Sequence, residues 1–583
     1  MRLLALALDY DGTIARRDVL DPEVLSALAE IRSKGVLVIV VTGRTLPSLR
    51  SVAGSLHFAD CVVAENGAFI HFPHSGYRWS LGPPVSQPLV AELLKQRIVF
   101  DSGESLVDTH RDNAPRVLEI IQRLELPLVL VFNRSRLMIL PQAVSKGTGL
   151  RRALTMLRVS EHNTIGIGDA ENDHELLRVC ELAVAAAWGS EALRAVADYV
   201  LPGSGPPAVA GYIRELAKLG QIPIPPKVRR NVLLGHTDEG RPLELALRGR
   251  NALISGDSKS GKSWVTGLLC EQMILYGYSL CILDPEGDYT SLEALPGVVV
   301  LGGADPLPRI HELLRVLRHA DVSVVIDLSR APHAEKVDYI RTALPALATL
   351  RRRTGLPHRI VVDEAHYFLS DPDVLDLLDL ELNGYTLVTY LASKLNPALL
   401  AETEAVIVTR QSDPNEIEAL RTVCSFCGKM DQGELCQTLD TLVIGQAVAL
   451  PLTEEAGGEI RRVYLTPRLT THVRHLMKYI DVPVSPGRAF VFWRDGAMSD
   501  MRARTLREFV EIVERESATS LDGHLRRHDF SNWISAVFGD HTLASVVRTI
   551  EQDYRRGRLN DAVASLARAV RNRYEFLDPI PGS

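Results

Sequence analysis

The sequence predicts an α/β fold: two parallel-sheet domains in tandem, the first with an inserted α/β cap, followed by a mostly helical module. Three observations predict it. Short apolar runs of strand length alternate with segments of helical period from the first residues to about 465. Twice, near residue 9 and near residue 256, such a run ends in a glycine-containing polar loop suited to phosphate. After about residue 470 the alternation gives way to helical segments at 503–518 and 541–573. A chain of 583 residues exceeds the roughly 250–300 at which one core stops growing, so several domains are expected.

Composition narrows the class. Apolar residues make up 46% and charged residues 23%, ordinary for a globular protein, and the net charge of −7 supplies no general basic field for nucleic acid. Contact with DNA would need a local patch or an oligomeric pore. No apolar run reaches the ~18 residues of a membrane helix, and LLALAL is too short for a secretory core before it meets Asp9. Seven cysteines at irregular spacings suggest no disulfide framework, which favours the cytoplasm.

The elements follow in order. Residues 3–8 are a buried strand. Asp21-Pro22 opens a helix over PEVLSALAEIRSK, and Gly35 stops it. VLVIVV (36–41) is the next strand. The proline-rich QIPIPPK (221–227) marks a boundary and an extended linker. The domains are therefore expected at 1–215, with the cap at about 82–143, at 228–468 and at 469–583. In the second, strands are expected at 251–255, 279–284, 322–328, 359–363 and 386–391.

Asp9-Tyr10-Asp11-Gly12-Thr13 stands where the first strand ends, the end at which open α/β sheets bind ligands. One carboxylate can attack phosphorus. A second, one residue on, can protonate the leaving oxygen and later activate water. Carboxylates repel phosphate, so Mg²⁺ and a lysine are required nearby. Val41-Thr42-Gly43-Arg44, Ser145-Lys146-Gly147 and Ile167-Gly168-Asp169-Ala170-Glu171-Asn172-Asp173 supply a hydroxyl, a cation and further carboxylates. These four motifs, in this order, resemble the haloacid dehalogenase (HAD) phosphatases over roughly the first 210 residues. Ala64-Glu65-Asn66-Gly67-Ala68 and the AVAAAWGSEALRAVADYVL tail resemble their IIB, Cof-type group. The resemblance implies Asp9 as nucleophile, Asp11 as acid/base, and Thr42 and Lys146 as phosphate ligands. It implies Mg²⁺ on Asp9, Asp169, Asp173 and the Asp11 carbonyl, with Arg44 and Asn66 facing a small phosphomonoester such as a sugar phosphate.

Gly256-Asp257-Ser258-Lys259-Ser260-Gly261-Lys262-Ser263 fits G-x4-G-K-[ST] between a strand and an apolar helix. Its N–H groups would cradle phosphates, Lys262 would reach the β/γ-phosphates of ATP, and Ser263 would ligate Mg²⁺. Arg359-Ile360-Val361-Val362-Asp363-Glu364-Ala365-His366 ends an apolar strand in two acids. Asp363 would bind Mg²⁺, and Glu364 would polarise an attacking water, which favours hydrolysis over transfer to an acceptor. With Asp284-Pro285-Glu286-Gly287-Asp288-Tyr289 and AVIVTRQSD (405–413), these motifs resemble the HerA/FtsK P-loop ATPases over roughly 230–455. That resemblance implies a ring, commonly a hexamer, moving DNA or protein, with Arg410 as a candidate arginine finger. The chain departs from it at LVTYLASKL (387–395), where such motors often carry Thr-Gln.

Two weaker signals are Cys424/Cys427 with Cys436, half a zinc site's spacing, and the pairs His472/His475 and His524/His528. A reduced structural role and polar contacts are the expectations for these. The reading is thus a phosphatase fused to an ATPase. The alternatives are a polynucleotide kinase–phosphatase arrangement and a nucleotide-switched scaffold with a ligand-sensing first domain.

Overall fold

The computed structural model describes residues 1–574, apart from 134, 226–227, 372, 424–431, 451–460, 471–483, 485, 495–496, 539 and 560. The Cys424/Cys427 and His472/His475 pairs lie outside the described residues. The chain folds as two compact units, Met1–His472 and Val473–Ser583. The first unit holds both α/β domains.

The first sheet is built from β1 (Ala5–Asp9), β2 (Leu37–Val41), β3 (Cys61–Ala64), β4 (Phe69–His71) and β5 (Arg78–Ser80), with three later strands. Alternation explains its two covered faces. Leu6, Leu8, Val38 and Val40 pack against Leu28 and Ile31 of α1 (Pro22–Ser33), whereas Ala5, Ala7, Ile39 and Val41 point to the opposite core. Asp21 caps α1 by accepting from the Glu23 amide at 2.8 Å, and Gly35, at φ 84°, follows its end.

The cap is inserted after β5. Helices α2 (Gln87–Lys95) and α3 (Ala114–Arg123) lie on one face of an antiparallel sheet of β6 (Phe100–Ser102), β7 (Val107–His110), β8 (Leu128–Asn133) and β9 (Arg136–Pro141), in the order β8-β9-β7-β6. Val107, Leu137 and Ile139 pack with Leu93, Val117 and Ile120 of the helices. Strand alternation puts Asp101, Asp108, Arg136 and Met138 on the other face. The chain returns through α4 (Lys146–Leu157) to β10 (Thr164–Gly168), β11 (Leu182–Ala186) and β12 (Tyr199–Leu201), then α5 (Gly205–Leu219). Among the described residues the sheet order is β12-β11-β10-β1-β2-β3-β4-β5, parallel as far as β3 and antiparallel beyond it.

The second sheet contains β13 (Val232–His236), β14 (Pro242–Leu245), β15 (Ala252–Ser255), β16 (Leu280–Asp284), β17 (Val298–Gly302), β18 (Ser323–Asp327), β19 (Arg359–Val362), β20 (Tyr385–Thr389), β21 (Ala405–Val408), β22 (Gln446–Leu450) and β23 (Arg461–Leu465). Its order is β14-β13-β23-β22-β21-β15-β20-β19-β16-β18-β17. The strands from β21 to β17 are parallel, as the apolar runs predict, and an antiparallel flap of β22, β23, β13 and β14 extends one edge. That flap was not foreseen, because its strands are short and half-exposed.

The two sheets meet at the amino-terminal ends of their strands. Asn163 Oδ1, just before β10, pairs with His358 Nε2, just before β19, at 3.2 Å. The Tyr278 hydroxyl, just before β16, donates to Glu181, just before β11, at 2.9 Å. The carboxyl ends of both sheets, which carry the phosphate-type loops, therefore point away from each other. The linker is not loose where described: Ile222 is buried in the first domain's core and its amide donates to the Met1 carbonyl at 2.8 Å.

Within the second unit, the hairpin β24 (Phe490–Arg494) and β25 (Ala497–Ala503) joins helices including Leu506–Arg515, His541–Arg555 and Ala562–Tyr574 around an aromatic core of Phe490, Phe492, Phe509, Phe530 and Trp533.

Candidate active sites

The first site is a buried charge cluster at the ends of β1 and β10. The Lys146 ammonium bonds to Asp9 Oδ1 and Asp173 Oδ1, both at 2.5 Å. Asp173 Oδ2 accepts the amides of Asp169 and Ala170 at 3.0 and 2.9 Å, and Thr13 Oγ1 donates to Asp169 at 3.1 Å. Oxygens of Asp9, Asp169 and Asp173 lie within 4.8 Å of one another, the one such group of three or more ligand side chains among the described residues. Burial first, then the Asp173 and Asp169 charges, raise the Asp9 carboxyl well above its usual range, with Lys146 opposing. Burial alone would lower the Lys146 ammonium, but Asp173 and Asp9 raise it. Three carboxylates against one ammonium leave an excess of negative charge in a dry site, which fits a divalent cation.

Asp11 does not join that cluster. Its carboxylate is clamped by Arg44 through two bonds of 2.7 Å, and Arg44 also pairs with Asp18. Thr42 is fully buried, its hydroxyl accepting the Arg44 amide at 3.1 Å. Asn66 is buried as well, with Oδ1 accepting from Asn172 at 3.3 Å. Arg44 lines the cavity described below, whereas Asn66 and Thr42 are not among its lining residues.

The Glu-Asn-Gly turn has a structural cause that the residues alone do not disclose. Glu65 reaches into the cap and accepts the amides of Glu104, Ser105 and Leu106 at 2.9, 2.9 and 3.2 Å. Gly67, at φ 105°, lies so close to Ser145 that a Cβ would stand 1.8 Å from its carbonyl oxygen. Together they fix the cap and the Lys146 segment against the core.

Between core and cap is a cavity of about 790 Å³, with Asp9, Asp11, Arg44 and Lys146 on one side and Asp101, Asp108, Asn133 and Arg136 on the other. Arg136 donates to Asp108 at 2.6 Å and to Asp101 at 3.0 Å. Among the described residues the Oδ1 atoms of Asp108, Asn133 and Asn172 have no hydrogen-bond partner.

The second site surrounds the N-terminus of α6 (Lys262–Leu275), which follows β15. Gly256, Lys259 and Gly261 take positive φ (151°, 64° and 105°), and a Cβ on Gly256 would stand 2.0 Å from Thr409 Oγ1. Lys262 is folded back onto the loop, donating to the Gly256 and Asp257 carbonyls at 3.1 and 2.9 Å. Ser260 pairs with Thr409 at 2.5 Å. Asp257 accepts from Gln411 at 3.0 Å and from the Ser412 hydroxyl at 2.8 Å, while Ser258 is exposed. Arg410, about half exposed, lies 3.5 Å from the Asp257 carboxylate of its own chain. At the end of β19, Asp363 accepts the Glu364 amide at 2.9 Å, and Glu364 takes φ 48°.

Three residues here lie in stretches that the sequence motifs include without assigning them a role, because their partners come from distant segments. Asp288 accepts from Ser263 at 2.5 Å, which adds a carboxylate to the proposed Mg²⁺ position. Asp284 holds that turn by accepting the amides of Gly287, Asp288 and Tyr289 at 2.6, 3.0 and 2.9 Å. Tyr390 follows β20, between the P-loop strand and the acid strand. Its ring centroid is 5.8 Å from the Lys262 ammonium and its hydroxyl is 3.3 Å from that of Tyr367. The loop amides, the lysine and the three acids Asp288, Asp363 and Glu364 fit a magnesium–nucleotide complex.

The other histidine signals resolve as polar contacts. His524 pairs with Asp529 at 2.7 Å and accepts the Trp493 amide at 2.9 Å, and His528 pairs with Glu551 at 3.1 Å.

Both α/β domains match known protein families. The model for haloacid dehalogenase-like hydrolases matches residues 6–80 and 106–213, and the model for the HerA helicase central domain matches 245–385. Phosphoglycolate phosphatase from Natronomonas pharaonis is 32% identical over 213 residues, covering 34% of this chain and 91% of that protein. The chain belongs to the haloacid dehalogenase-like hydrolases.

The hydrolase part is followed by a HerA-type domain. Phosphoglycolate phosphatase from Archaeoglobus fulgidus is 28% identical to the hydrolase part over 228 residues, covering 37% of this chain and 97% of that protein. A 5-amino-6-(5-phospho-D-ribitylamino)uracil phosphatase from Bacillus subtilis is 22% identical, covering 36% and 94%. A solved HAD subclass IIB sugar phosphatase aligns at 17% identity with a TM-score of 0.32, covering 38% of this chain and 100% of that one. Among the described residues no helix is long and apolar enough to cross a membrane.

Proposed function

We propose that the hydrolase domain is a Mg²⁺-dependent phosphomonoesterase working through an aspartyl-phosphate, and that the HerA-type domain binds and hydrolyses ATP. The observation that carries the first reading is the Asp9–Lys146–Asp173–Asp169 cluster on the floor of the cavity. Asp9 attacks phosphorus and Asp11, once released by Arg44, protonates the leaving oxygen and then activates water. Lys146 holds Asp9 and neutralises the transferred group. Bound on Asp9, Asp169 and Asp173, Mg²⁺ would offset the charge of the phosphoryl oxygens.

The substrate reading is a small phosphomonoester of the sugar-phosphate kind. Its support is the cap wall, where acceptor oxygens on Asp108 and Asn133 have no partner among the described residues and suit hydroxyl donors. Arg136 is already paired with Asp101 and Asp108, which disfavours a carboxylate there. The test is a panel of phosphomonoesters with Mg²⁺, including 2-phosphoglycolate and phosphorylated polyols, with Asp9→Asn as blank. Faster turnover of the polyols is expected. Preference for 2-phosphoglycolate would overturn the substrate reading, and no turnover of any ester would overturn the phosphatase reading.

The ATPase reading rests on the loop around Lys262 with Asp288, Asp363 and Glu364. A hexameric ring moving DNA or protein, in the cytoplasm, is the extension of that reading, with Arg410 as a group acting on a neighbour's nucleotide. Its test is ATP hydrolysis with and without DNA, together with the mass of the assembly in solution. Indifference to DNA and a monomeric mass would remove the DNA motor.

A further inference from the structure

We infer that nucleotide bound at the P-loop is an effector of the phosphatase site, transmitted through His162 and Asn163. The inference rests on both parts of the proposed function and adds a regulation that neither contains.

The C-terminal end of the P-loop helix and the start of the acid strand each hydrogen-bond one of two adjacent hydrolase residues, His162 and Asn163. The P-loop helix α6 runs 14 residues from Lys262, about 21 Å at 1.5 Å per residue. Its C-cap Tyr276 offers its carbonyl to His162 Nε2 at 3.0 Å. Two residues on, the Tyr278 ring stacks on the His162 imidazole with centroids 3.8 Å apart. The acid strand β19, which leads to Asp363 and Glu364, begins beside His358. That imidazole accepts the Ser279 amide at 2.8 Å and meets Asn163 Oδ1 at 3.2 Å. His162 and Asn163 in turn lead directly into β10, five buried residues whose end carries Asp169.

The junction is built to hold this register. Glu181, with a fully buried side chain, takes His162 Nδ1 at 2.7 Å, Arg230 at 2.7 Å, the Tyr278 hydroxyl at 2.9 Å and Arg248 at 3.3 Å. Arg248 also donates to the Glu181 carbonyl at 2.9 Å. Three of the four partners come from the HerA-type side. Gly355 packs so closely on Asn163 that a Cβ would stand 2.4 Å from its side chain. A shift of α6 or β19 on nucleotide binding therefore meets close-packed, hydrogen-bonded atoms, with no soft layer between the domains to absorb it. The phosphate-type loops lie at the carboxyl ends of sheets whose amino-terminal ends meet, so the junction is the contact through which coupling is proposed. Continuity of contact supplies the path, and only a measured coupling proves that it is used.

The experiment uses the full chain with a slowly hydrolysed ATP analogue and Mg²⁺. Nucleotide binding is followed by calorimetry, amide exchange over residues 160–173 by mass spectrometry, and phosphomonoester turnover by the organic product. Bound analogue is expected to change exchange in 160–173 and to move kcat/KM by at least about fivefold, the lower end of ordinary allosteric coupling. Lys262→Ala should abolish both effects. Tyr278→Phe, which removes one hydroxyl, and His162→Gln, which keeps a donor, should shrink them below about twofold while leaving basal turnover unchanged. Binding with no change in exchange or turnover overturns the inference. Changed exchange without any esterase activity would overturn the phosphatase reading and leave the route standing. Failure to bind the analogue would overturn the ATP reading and the inference together.

Discussion

The two phosphate sites are built in opposite ways. In the hydrolase domain the charges come preassembled: Asp9, Lys146, Asp169 and Asp173 are all buried and bonded to one another or to backbone. In the HerA-type domain the cradle is backbone, and its lysine is turned onto the loop's own carbonyls. The first pays for desolvated charge in advance, which suits chemistry on one small group. On the proposed reading the second would exchange a large ligand, the bonds Lys262 makes to the loop giving way to bonds to phosphate. The difference teaches that a shared ligand chemistry does not imply a shared device.

Four predictions would break or sharpen this contrast. Removing the nucleophile has the largest effect: Asp9→Asn is expected to lower phosphomonoester kcat by about 10⁴-fold or more, with ATP hydrolysis retained, as read from product formation. Glu181→Gln is next. It leaves His162, Arg230 and Arg248 facing an uncharged group, and a loss of about 3 kcal/mol of unfolding free energy is expected by denaturant titration. Tyr390→Phe should then cut ATP kcat by about tenfold with little change in nucleotide affinity, since it removes the hydroxyl that meets Tyr367 at 3.3 Å and keeps the ring that Lys262 faces. Equal loss of affinity would make Tyr390 a binding residue instead.

The last prediction concerns pH. Burial, then the Lys262 charge, lowers the His366 imidazole to about 4. The unfolded chain binds this proton at about 6.5, so stability is lost as pH falls from about 6.5 toward 4 and is unaffected above that window. His366→Gln should flatten the pH dependence of the unfolding midpoint within that window. An unchanged slope would mean that His366 is charged in the folded protein.

Much of this was legible in the chain, for a physical reason. Strand-ending Asp9, Asp169, Gly256 and Asp363 are local features, and parallel sheets gather strand ends on one side, so motifs far apart in sequence converge. Partnerships set by packing alone were not legible. Asp288 reaches Ser263 only because Asp284 folds its turn, and Glu65 grips the cap from 39 residues before it. The proline-rich stretch at 221–227 marks a boundary in the sequence, but it does not disclose that Glu181 draws Arg230, Arg248 and Tyr278 across it. Tyr390 reads in the sequence as a departure from a motor pattern, and only the strand order places it between Lys262 and Glu364.

The proposed function gives one chain two separate phosphate chemistries. The direct measurement is a crossed assay of Asp9→Asn and Lys262→Ala, with Mg²⁺, for phosphomonoester turnover and ATP hydrolysis side by side. Each variant should abolish one activity and keep the other at its basal level. Loss of both activities in either variant, with the fold intact, would contradict the account.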